Sequence, residues 1–178
     1  MKVLMRVGLL AILVSLISAC GVFGPPDGPV RKKEQQGCAR GTFDFDPHGG
    51  AQPLGSSELL YRTMLEALRS TETIPMLDLT HSAGWSDDWD RMVDVWEHTE
   101  QNELNSRAQT PGYCWKHLPA SSPTSDNPSD GFYLFIKDQR PVQFVRYRIS
   151  EYPIQLLRGV VVTKETVLVR RASYLRPE

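Results

Sequence analysis

Residues 132–149 constrain the fold more than any other stretch of this chain. The runs 132–136 (Phe-Tyr-Leu-Phe-Ile) and 142–149 (Val-Gln-Phe-Val-Arg-Tyr-Arg-Ile) are rich in aromatic and β-branched side chains, and Lys137-Asp138-Gln139-Arg140-Pro141 joins them. Two such runs around a short polar link predict a β-hairpin. Period-two alternation puts Phe132, Leu134, Ile136, Val145, Tyr147 and Ile149 on one face, with Arg146 and Arg148 on the other face of the second strand. A two-stranded hairpin is marginal in water, so other elements must cover its apolar face.

The best candidate for that cover is residues 56–70. Ser56 or Ser57 can cap a helix there, and Glu58 sits in the first turn, where negative charge suits the dipole. Leu60, Tyr61, Met64, Leu65 and Leu68 recur at helical spacing. Other segments give weaker signals. Residues 74–79 read as a strand, placed at an edge by Pro75. Residues 99–108 read as a short helix capped by Thr99. Residues 113–115 and 160–162 and 167–169 read as strands, and 152–158 as a helical turn. Residues 119–130 carry no large apolar side chain and read as an exposed loop. Residues 86–96 fit two periods. Trp89, Met92, Val93 and Trp96 suit a helix, whereas Trp89, Arg91, Val93 and Val95 suit a strand.

The N-terminus carries an address. Lys2 and Arg6 precede an uncharged, mostly apolar run over 7–17, too short to span a bilayer as a stable helix, and then Ile17-Ser18-Ala19-Cys20. This segment resembles the lipobox of bacterial lipoproteins. The resemblance implies lipidation of Cys20, cleavage before it, and a mature chain held to the membrane by its acyl chains. Gly21, rather than an aspartate, follows Cys20; in a Gram-negative cell the resemblance then implies the periplasmic face of the outer membrane. The expected organisation is a signal peptide over 1–19, a flexible tether over 20–37 rich in glycine and proline, and one globular domain over 38–178. Asp88-Trp89-Asp90-Arg91-Met92-Val93 also resembles a segment of small bacterial lipoproteins in which it begins a strand, and this favours the strand reading of 86–96. With Cys20 assigned to lipid, Cys38 and Cys114 remain. An oxidising exported compartment makes them one disulfide. A loop of about 77 residues closed this way is worth about 4–5 kcal/mol in the chain-entropy model. The rival is a metal site built on Cys114 and His117, which has no second ligand pair at zinc spacing.

Charge is uneven. Residues 44–103 hold thirteen acids against three bases, and residues 131–178 hold nine bases against four acids. Packing of the two halves against each other would neutralise both. The sharper expectation is that Asp87, Asp88, Asp90 and Asp94 face solvent together as an interaction patch. Catalytic signals are thin. Asp78, His81 and Ser82 have the residue types of a triad, but triads are set by geometry and neighbours in sequence rarely converge. Asp44, Asp46 and His48 alternate as ligands would, yet Pro47, Gly49 and Gly50 bend the chain into turns. Trp85, Trp89, Trp96 and Trp115 suit a core or a sugar-stacking face.

The sequence therefore predicts an α+β domain: a mostly antiparallel sheet, one main helix packed on one face, and one disulfide. No cofactor, metal or nucleic-acid partner is expected. The functional expectation is a lipid-anchored envelope protein that acts by non-catalytic binding, in a structural or assembly role with a protein or peptidoglycan partner. The alternative is a periplasmic inhibitor or immunity protein against a cationic toxin or lysozyme, with a hydrolase behind both.

Overall fold

The structure, a computed structural model, describes residues 37–46, 48, 50–119 and 130–178. The expected leader, Cys20, the tether and most of the 119–130 loop lie outside the described residues.

The hairpin forms and anchors the domain. Strand β5 (Asp130–Lys137) pairs antiparallel with β6 (Arg140–Arg148) through a two-residue turn at Asp138 and Gln139. Both turn residues have positive φ, 47° and 60°, the geometry that matches the twist of a tight hairpin. Strand β3 (Arg91–Val95) joins the other edge of β5, giving a three-stranded sheet in the order β3-β5-β6. Residues 91–95 are thus a strand, and residues 86–90 are irregular.

The expected face assignment is corrected. Phe135 pairs with Gln143 but Ile136 pairs with Pro141, so Val142 is an extra residue in β6. That bulge shifts the parity of β6 against β5. Phe132, Leu134 and Ile136 share their face with Phe144, while Tyr133 and Phe135 share theirs with Val145 and Tyr147. Every residue from Phe132 to Ile136 is buried, so the sheet needs cover on both sides rather than on one.

Helix α1 (Ser57–Ser70) supplies cover on the first side. Ser56 caps it by accepting the Leu59 N–H at 3.2 Å, and Leu60, Met64 and Ala67 are buried against the sheet. The next segment departs from expectation. Strand β2 is only Thr73–Pro75, and α2 (Met76–Ser82) follows at once, burying Met76, Leu79 and Thr80 at helical spacing. β2 is an edge strand, paired with β7 (Val167–Arg171), which pairs with β8 (Tyr174–Pro177) in a second antiparallel sheet. Residues 152–158 are not helical; the helical turn is one 3₁₀ turn earlier, at Ile149–Glu151. Val162 makes a single bridge to Met92.

The second side is covered by helix α3 (Gln101–Ala108), through Leu104 and Ala108, and by an aromatic cluster of Phe45, Trp115, Phe132 and Phe144. Glu100, not Thr99, is the cap residue of α3; the Thr99 hydroxyl accepts the Trp96 N–H instead. Strands β1 (Gly41–Asp44) and β4 (Tyr113–Lys116) form a parallel pair that carries Phe43 and Trp115 onto this face. Cys38 and Cys114 are disulfide-bonded, with Cα atoms 5.2 Å apart, and lock β1 to β4. The fold is α+β with two antiparallel sheets and one short parallel pair. No helix among the described residues is long and apolar enough to cross a membrane.

Candidate functional site

The four aspartates singled out by charge do not form one patch. β3 alternates, with Val93 and Val95 facing the aromatic cluster and Met92 and Asp94 facing the other side. Asp94 is therefore inside, 3% exposed, and its place in an interaction surface is corrected. The Tyr147 hydroxyl donates to Oδ1 and the Tyr152 hydroxyl to Oδ2, each at 2.6 Å. Burial holds the Asp94 carboxyl above the usual carboxylate range, and the two tyrosine bonds and the nearby Arg107 charge offset this only in part. Burial, the Asp94 charge and the hydrogen bond to it push the Tyr147 and Tyr152 hydroxyls up as well. Tyr133 stacks on Tyr147 with centroids 4.4 Å apart and ties the sheet to Ile154 through its hydroxyl.

The other three acids are at the surface and are met by bases of the C-terminal half. Asp90 accepts the Asp138 N–H at 2.7 Å and the Lys137 ammonium at 3.2 Å. The backbone bond, first, and Lys137 hold its carboxyl below the usual range. Lys137 is also 3.8 Å from Asp88, and Lys164 donates to the Asp87 carbonyl. The side chain of Asp87 contacts His81 Nε2 at 2.5 Å. His81 thus meets Asp87, and Ser82 donates its hydroxyl to the Asp78 backbone carbonyl one turn back. At the other candidate cluster, Asp44 contacts His117 Nδ1 and Asp46 accepts the His48 N–H. With Cys114 in a disulfide, the Cys114 and His117 metal reading fails. Trp85, Trp89 and Trp115 are core residues, and Trp96 alone of the four is exposed.

Two surface depressions have mixed linings. One, of about 290 Å³, is bounded by Tyr61, Asp130, Arg146, Tyr147 and Arg148, where Arg146 is paired with Asp130. Tyr61 donates to Glu151 at 3.0 Å; burial, and then this carboxylate, push its hydroxyl up to about 12. The larger, about 510 Å³, lies between the outer side of α3 and the turn at Arg158 and Gly159. Glu103 on α3 accepts from Arg158 Nε at 3.3 Å and Nη2 at 3.4 Å. Arg107, one turn on, keeps 10% of its side chain exposed, and its buried Nε and Nη2 have no hydrogen-bond partner among the described residues. Sequence reading passed over both arginines. A signal existed for Arg107, which lies between Leu104 and Ala108 on a short helix and so near its buried stripe; Arg158 had none.

No protein-family model, curated protein or solved structure matches this chain.

Proposed function

We propose that this chain is a lipid-anchored cell-envelope protein that acts by non-catalytic binding, in a structural or assembly role. The observation that carries the reading is the short apolar run ending in Ile17-Ser18-Ala19-Cys20, which has the form of a lipoprotein signal. The disulfide between Cys38 and Cys114 supports it, since such bonds persist in oxidising compartments. Binding is favoured over catalysis because the best triad candidate is divided between unrelated contacts: His81 with Asp87, Ser82 with a backbone carbonyl. It is favoured over inhibition of a cationic partner because Lys137 and Lys164 already occupy the acidic surface and Asp94 is withdrawn from it.

Mass spectrometry of the mature protein from membranes tests the address. The N-terminal peptide is expected to begin at Cys20 and to carry acyl-glycerol, and Cys20→Ala is expected to leave the membrane fraction. Wild-type protein without acyl-glycerol, or a variant that fractionates as the wild type does, would sink the reading. Intact mass before and after reduction should differ by the two hydrogens of one bridge.

A further inference from the structure

We propose that the depression between α3 and the turn at Arg158 and Gly159 binds a zwitterionic group, a carboxylate with an ammonium beside it, as the diamino acid of a cell-wall stem peptide presents. The inference rests on the envelope reading above, which places the protein beside that polymer.

The chemistry starts from an imbalance. The Nε and Nη2 atoms of Arg107 form the edge of the guanidinium that takes a carboxylate side-on through two parallel bonds. Both atoms are buried and neither has a hydrogen-bond acceptor among the described residues. The two nearest acids are engaged elsewhere. Asp94 is held by Tyr147 and Tyr152, and Glu103 is turned to Arg158. Glu103 stands 3.8 Å from Arg107 Nε, an ion pair beyond hydrogen-bond reach. One carboxylate thus serves two guanidiniums; its hydrogen bonds go to the exposed one, where they contribute little, and the buried one keeps only the longer ion pair.

A ligand carboxylate corrects this. Seated on Arg158, whose side chain is 77% exposed, it replaces Glu103, and Glu103 closes onto the fork of Arg107. Glu100 lines the same depression and is exposed. It would repel a bare anion but attracts an ammonium, so the lining selects a group that carries both charges.

The test is calorimetric titration of the full lipidated protein, in detergent micelles at 0.15 M salt, with a purified disaccharide-tetrapeptide wall fragment that has a free diamino-acid centre. Saturable binding is expected. It should weaken at least tenfold when that centre is amidated at its carboxylate, when it is acetylated at its amine, and in Arg158→Gln. Arg158 is exposed, so a thermal melt should show that variant folded; Arg107→Gln is the riskier second variant and should also lose binding. No saturable binding, or equal binding of the amidated fragment, or an unaffected Arg158→Gln, overturns the site. Acylation of Cys20 is read on the same preparation. An acylated protein that ignores the fragment loses the site and keeps the address, and an unacylated protein that binds the fragment keeps the site and loses the address.

Discussion

Asp90, the residue just before strand β3, and Asp94, near that strand's far end, behave as opposites. Asp90 lies at the hairpin turn, half-exposed, with a backbone N–H and a lysine to stabilise its charge, and its carboxyl is held low. Asp94 lies inside, with two tyrosine hydroxyls, and burial holds its carboxyl high. A count of charges treats the two alike. The difference is made by what the sheet brings to each end: the turn at Asp138 at one, Tyr147 and Tyr152 at the other.

The largest expected effect is at the buried end. Asp94→Ala leaves the Tyr147 and Tyr152 hydroxyls without their acceptor, at about 1–3 kcal/mol for each donor, so a loss of about 2–6 kcal/mol is expected. The pH dependence has a defined sign. A carboxyl raised in the folded state contributes fully below its unfolded value, about 3.9, and that contribution is lost as pH rises through the folded value. The deficit of Asp94→Ala should therefore be greatest in acid and shrink toward neutrality. Denaturant melts of both proteins from pH 4 to 7.5 check this, and a deficit that grows with pH would mean that the tyrosine bonds to Asp94 outweigh its burial.

Gly131→Ala attacks the same network from behind. A Cβ at Gly131 would sit 2.2 Å from Tyr147 Cζ and Oη, across the β5–β6 pair. Overpacking of this kind typically costs about 1–3 kcal/mol. Tyr147 must move, and its bond to Asp94 with it, so the loss should be smaller in the background of Asp94→Ala. A double-mutant cycle measures that coupling. Strict additivity would mean that the clash is absorbed elsewhere.

Such particulars mark what the sequence could reveal. The hairpin, α1 with its Ser56 cap and the disulfide were legible because each is written locally, in periodicity, a capping residue or a count of thiols. The face assignment failed on one residue, Val142, since a bulge inverts every later side chain and leaves no compositional trace. Residues 76–79 are helical where 74–79 reads as a strand, although Met76, Leu79 and Thr80 have helical spacing; the β-like start at Ile74 dominates the pattern. Of the candidate site, the exposure of Asp87 and Asp88 was expected from charge alone, the same argument that misplaced Asp94. The burial of Asp94 was not, because its partners lie 53 and 58 residues away. The idle fork of Arg107 likewise depends on where Glu103 turns, which only the packed structure decides.

At the exposed end the effects are smaller and the slope reverses. Asp90→Asn keeps an acceptor for the Asp138 N–H but loses the charge facing Lys137. For so exposed a pair, screened by solvent, a loss of about 0.5–1 kcal/mol is expected at neutral pH. A carboxyl held low contributes stability above its unfolded value, and this is lost as pH falls through the folded value. The Asp90→Asn deficit should thus shrink in acid, where that of Asp94→Ala is greatest. Parallel pH profiles for the two variants would mean that the two positions are not electrostatically distinct.

The smallest effect is expected from Asp87→Asn combined with Asp88→Asn, and salt is what gives it meaning. Asp87 touches His81, and Asp88 is 3.8 Å from a lysine already shared with Asp90. Both acids are exposed, so each substitution should cost no more than about 0.5 kcal/mol. Surface attraction of this kind is screened as the Debye length falls from about 10 Å at 0.1 M to about 3 Å at 1 M. The small deficit of the double variant should fade between those concentrations, while the deficit of Asp94→Ala, shielded from solvent, should persist. Thermal melts of the two variants at both salt concentrations make the comparison. If the surface pair proves as costly and as salt-independent as the buried acid, then Lys137 and Lys164 are holding the acidic segment in place structurally, and the surface acids differ from Asp94 in degree of burial but not in kind.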